Sequence, residues 1–110
     1  MTNDPVERLR TQLGGPRDGA LLRFSLGNAL LAQGHARDAA DALREALAFD
    51  ANYSAAWKLL GRALADSGDE VAAIAAWQRG IEVAGARGDQ QAAKEMGVFL
   101  RRLQRKAGNT

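Results

Sequence analysis

A chain of 110 residues holds one domain, and its 46% hydrophobic and 25% charged content is that of a globular protein, which excludes wholesale disorder. Without cysteine it can form neither a disulfide nor a thiolate metal site, and a formal net charge of +2 is too small by itself to argue for nucleic acid. Alanine is abundant while Val, Ile and Thr are scarce, a composition that favours helices over strands.

The first segment, MTNDPVERLR, lacks a basic stretch followed by an apolar run, and nothing later approaches the roughly 20 apolar residues needed to span a bilayer, so a cytoplasmic protein without a membrane role is expected. Within it DPVERLRTQL predicts a short packing helix over 4–13, with Pro5 in the first turn, Val6, Leu9 and Leu13 on one side, and GGP as its breaker. Next, ALLRFSLGNALLAQG carries apolar residues at helical spacing and stops at Gly34, and ARDAADALREALAFD continues through Ala39, Leu43, Ala46 and Leu47. Residues Tyr53 to Ser67 and Glu70 to Ala84 read the same way, with Asp69 suited to cap the second of them. GARGD is then expected as a loop. A long amphipathic helix, DQQAAKEMGVFLRRLQRK, follows with Asp89 as its cap.

The chain repeats itself. A shift of 34 residues sets Leu26 on Leu60, Gly27 on Gly61, Ala29 on Ala63, Leu30 on Leu64, Gly34 on Gly68, Ala39 on Ala73 and Ala42 on Ala76. Leu43 with Trp77, Ala46 with Gly80 and Leu47 with Ile81 are conservative pairs in the same register. The last helix echoes the pattern once more, its Ala93, Met96, Gly97 and Leu100 standing 36 residues after Trp57, Leu60, Gly61 and Leu64. The short turns at Gly34-His35 and Gly68-Asp69 make each unit an antiparallel helical hairpin.

Trp57, Leu60, Gly61, Leu64, Ala73 and Trp77, with Leu26, Gly27, Leu30, Ala39 and Leu43 one period earlier, resemble the tetratricopeptide repeat signature W-x2-L-G-x2-Y, A-x3-F. The chain departs from it where Arg23 stands in the place of Trp57, and where Ala51 and Gly85 replace the final proline. The resemblance implies an all-α fold, helical hairpins stacked in a short right-handed solenoid of about six helices. The expected organisation is a single domain over 1–110, with repeats at 20–53 and 54–87. The helix at 89–106 is read as either a C-terminal cap or the first half of a third unit. Gly61 and Gly27, costly inside a helix, are expected to let each hairpin close against Ala73 and Ala39 or their neighbours, so that Leu60, Leu64, Trp57 and Trp77 bury fully.

No catalytic residue, metal ligand or cofactor site is expected. His35, the single histidine, lies in a turn without a nucleophile or second base, and Asp38, Asp41 and Glu45 read as a wet face salt-bridged to Arg37 and Arg44. The glycine loops QLGGPRDG and GARGD lack a phosphate-binding strand and lysine, and Trp57 and Trp77 fall at core positions. Binding is the expected role, on the concave side that the first helix of each unit lines. One turn along each such helix come Phe24 and Asn28, then Lys58 and Arg62, then Lys94, Val98 and Arg101, a basic lining with an apolar patch at Phe24. It suits a peptide or partner helix that is acidic and carries an apolar anchor. Asn28 matches one element of the carboxylate clamp of some relatives, but Phe24 replaces its basic residue and Leu59 its second asparagine, so no such clamp is expected. The alternatives are nucleic-acid association through Arg101, Arg102, Arg105 and Lys106, the lesser reading for want of a stacking platform, and weak homodimerisation through bare apolar faces.

Overall fold

Proline opens the first helix, and alanine and leucine sustain the later ones. The structure, a computed structural model, describes residues 3–108 and contains, in order, α1 (Pro5–Arg10), α2 (Ala20–Ala32), α3 (Ala36–Phe49), α4 (Ser54–Asp66), α5 (Glu70–Arg87) and α6 (Gln90–Gly108). Carboxylates cap three of them: Asp4 accepts from the Val6 amide at 3.0 Å, Asp69 from Ala72 at 3.2 Å and Asp89 from Ala92 at 3.2 Å. Each occupies one of the four orphan N–H groups at a helix start.

Neighbouring helices pack in sequence, α2 on α3, α3 on α4, α4 on α5 and α5 on α6, while α1 closes the free side of α2. Alternate contacts tie α2 to α4 and α4 to α6, so these three run side by side along one surface. The result is an elongated stack of 48 × 31 × 19 Å. Its continuous core runs from Val6 in α1 through Leu26, Leu43, Leu60 and Trp77 to Met96 and Leu103 in α6. At roughly 1.5–3 kcal/mol for each large apolar side chain, this shared core is the main source of stability.

Three glycines end helices with a left-handed backbone that other residues resist: Gly34 (φ 82°), Gly68 (φ 88°) and Gly88 (φ 75°). The last of these corrects the reading of GARGD as a loop. Helix α5 continues through Gly85, Ala86 and Arg87, and only Gly88 and Asp89 separate it from α6. Nothing crowds Gly85, whereas Gly88 carries the positive φ that stops the helix. At the other end α1 stops at Arg10, and residues up to Leu13 follow as turns.

Gly27 and Gly61 allow close helix approach, but large side chains fill the space more than alanines do. A methyl group on Gly61 would overlap the Trp77 indole, and one on Gly27 would lie 2.6 Å from Leu43 Cγ and 3.3 Å from the Ala39 carbonyl oxygen. Each glycine is thus the socket for the bulky residue of its own hairpin partner. Trp77 is 5% exposed and donates its indole N–H to the Lys58 carbonyl at 3.0 Å. Trp57, expected to be fully buried, is only half-buried: its Cβ faces Gly80 while its indole N–H reaches the Ala51 carbonyl at 2.8 Å.

Candidate functional site

The seven residues expected to line a groove lie on α2, α4 and α6. Their environments differ. Phe24 is half-buried and stacked on Tyr53, with ring centroids 4.9 Å apart and an interplanar angle of 24°, so it belongs to the joint between the two units. Burial, with a smaller push from the Asp50 charge, raises the Tyr53 phenol above its ordinary pKa. Asn28 is exposed one turn further along α2.

On α4, Lys58 is half-buried and holds Glu95 of α6 at 3.3 Å, so its charge already has an internal partner. Arg62 is exposed, with Asp66 at 4.0 Å on the same helix. On α6, Lys94, Val98 and Arg101 are exposed, and neither Lys94 nor Arg101 has a carboxylate partner among the described residues. The Arg101 side chain lies back toward Gly97, its Nη1 3.3 Å from where a Gly97 methyl would be.

The α4–α6 seam has one fixed end. Asp89, which caps α6, also accepts a hydrogen bond from Ser54 Oγ at the start of α4 at 3.0 Å. The Ala92 amide and then the Ser54 hydroxyl hold the Asp89 carboxyl below its ordinary pKa, outweighing a small opposing effect of desolvation. Towards the other end, the α4–α6 seam opens into a cleft of about 300 Å³ between Arg62, Ala65 and Asp66 on one wall and Phe99 and Arg102 on the other, with Trp77 beneath.

Sequence reasoning did not find a second polar cluster, at Arg23. Arg23 Nε and Nη2 bind the two carboxylate oxygens of Asp18 at 2.8 and 2.7 Å, Nη1 bonds to Glu45 of α3, and the guanidinium carbon lies 5.8 Å from the Phe49 ring centroid. Glu45 is exposed, as expected of the wet face of α3, but pairs with Arg23 instead of Arg37 or Arg44; Arg44 pairs with Asp41 at 3.8 Å. Asp18 also accepts from the Gly14 and Gly19 amides at 2.9 and 2.8 Å. Its carboxyl is held far below the usual range, by Arg23 first and those amides next. The departure of Arg23 from the tryptophan position was the available signal, but not its partners. Among the described residues no three His, Cys, Asp or Glu side chains come together as metal ligands.

No family profile matches the chain. It is similar to a TPR repeat-containing protein, PA0015, of Pseudomonas aeruginosa, at 47% identity over 100 residues that cover 91% of this chain and 95% of that one. The chain belongs to the tetratricopeptide repeat family. This tetratricopeptide repeat chain is also similar to the solution structure of protein BPP2914 from Bordetella parapertussis, with a TM-score of 0.84 at 45% identity over 96% of this chain and 91% of that one. The crystal structure of MamA shares the fold, with a TM-score of 0.67 at 20% identity over 96% of this chain and 70% of that one. Tetratricopeptide repeat proteins are in general protein-interaction modules rather than enzymes. No described helix is long and apolar enough to cross a membrane.

Proposed function

We propose that this protein is a non-catalytic cytoplasmic scaffold or adaptor that holds an acidic peptide or partner helix on the α2–α4–α6 surface. The observation that best supports this reading is the row of exposed Arg62, Lys94 and Arg101 with Asn28 beside it, since Lys94 and Arg101 lack an internal carboxylate partner among the described residues. Guanidinium and ammonium groups in that state are free to meet carboxylates, each exposed pair adding about 0–1 kcal/mol, which places affinity in the micromolar range or weaker. Lys58, engaged with Glu95, serves the groove by joining α4 to α6. The test is a crosslinking pull-down with Arg62→Glu plus Lys94→Glu, both at exposed positions. Loss of capture with an intact helical circular dichroism signal is expected, and undiminished capture would overturn the groove assignment.

Arg101, Arg102 and Arg105 of α6, unpaired among the described residues, favour one competing reading, association with nucleic-acid phosphates. That reading requires binding of DNA or RNA at low salt with a steep salt dependence. Absence of binding there removes it.

A further inference from the structure

The sequence suggested Phe24 as the apolar anchor point, and the stacked Tyr53 ring occupies that side chain. The cleft at the far end of the groove offers what Phe24 does not. Its space between α4 and α6 runs on into a second hollow of about 240 Å³, where Leu103 and Lys106 join the shared residues Trp77, Phe99 and Arg102. The Trp77 and Phe99 rings lie 5.6 Å apart at 42° and form its floor. Because the indole N–H is already bonded to the Lys58 carbonyl, Trp77 offers the cleft only carbon surface.

The rim has the opposite character. Arg102 is exposed and has neither a hydrogen bond nor an ion pair among the described residues. Arg62 lies opposite it, shared loosely with Asp66 at 4.0 Å, while Lys106 is held by Glu70 at 3.0 Å. One uncommitted cation beside an apolar floor selects a ligand with a bulky apolar group and a carboxylate close to it. A nucleotide base fits poorly, because Trp77 is 5% exposed and presents no open ring face on which a base could stack.

Building on the groove reading above, we propose that the Trp77–Phe99–Arg102 cleft is the anchor site of the groove. It takes one large apolar side chain, aromatic or aliphatic, from a partner protein's extended or helical segment, with an adjacent acidic residue paired to Arg102. The partner segment crosses Arg62 on the way to α2, so the anchor sets its register and the remaining basic residues set its charge preference.

The probe is an acetylated and amidated peptide, Gly-Glu-Asp-Phe-Asp-Glu-Gly, and its Phe→Ala counterpart, titrated into the full ¹⁵N-labelled chain. The expected result is a shift of the Trp77 indole N–H signal and of the amides around Phe99 and Arg102, with the alanine peptide roughly tenfold weaker. Arg102→Glu, a surface change, is expected to abolish the indole shift, and Phe99→Ala to remove the preference for the phenylalanine peptide. Shifts along α2 and α4 with Trp77 unmoved would overturn the anchor while leaving the groove reading standing, and no shift with either peptide at millimolar concentration would overturn both. Concentration-dependent self-association that Phe49→Ala abolishes, with the same Trp77 signals moving, would overturn the assignment to a partner and give the cleft to a second copy, whose exposed Phe49 precedes Asp50.

Discussion

Arg23 and Trp57 hold the same place in the two repeats, and the chain uses them in opposite ways. Trp57 lays its Cβ against Gly80 of α5 and uses its one polar atom on the Ala51 carbonyl, so the second repeat is joined to its own second helix by packing and to the turn before it by one hydrogen bond. Arg23 instead binds Asp18, Glu45 and the Phe49 ring face, so the first repeat is joined to its leading loop by charge. One helix register tolerates either solution because the position lies at a seam between units, half-buried in both cases. The hairpin interior allows no such freedom: Leu43 and Trp77 both sit on a glycine.

The sharpest way to break the comparison is through the interior. Trp77→Ala is expected to cost about 3–5 kcal/mol in denaturant unfolding, since it empties the Gly61 socket and removes the indole bond to Lys58. Gly61→Ala should cost about 3 kcal/mol and Gly27→Ala about 1–2 kcal/mol, because a rigid indole yields less than a leucine branch. Equal costs in chemical denaturation would show that the two hairpins relax alike.

Gly97 sharpens the same point from the other side. It is the echo of Gly61, yet a methyl there would meet only the flexible end of Arg101. Gly97→Ala is therefore expected to stabilise the chain by about 0.5–1 kcal/mol, read as a raised melting temperature. A loss comparable to that of Gly61→Ala would mean that α6 is covered in solution.

The smallest effect concerns the seam, where solvent screens the charges. Asp18 has a depressed pKa in the folded state, so its contribution is fully present above the ordinary carboxylate value of 3.8 and is lost as pH falls through the folded value; Asp89 acts in the same direction. Melting temperature should be level from neutral pH to about 5 and decline below about 4. Asp18→Asn should make that decline shallower, whereas Trp57→Phe should leave its slope unchanged. An unaltered acid profile in Asp18→Asn would remove the charged-seam account.

The hairpins were legible because their signals are local and repeated: glycine turns, small residues at fixed offsets and a 34-residue period. The common face of Lys58 and Arg62 followed from their spacing on α4. Glu95 as the partner of Lys58 did not, since it comes from another unit whose offset is 36 residues. The Arg23 clasp was hidden for the same reason, one partner lying in a loop and the other 22 residues away. The Trp77–Phe99 floor depends on how α6 lies across α5, a packing outcome that no periodicity encodes.

The bond from Ser54 to Asp89 joins the first turns of α4 and α6, while Lys58 and Glu95 brace them one turn later. Beyond that point their facing surfaces meet a cleft instead of each other. The two helices are arranged like tongs, fastened to each other at one end and open at the other, with the jaw formed where α4 and α6 part over Trp77.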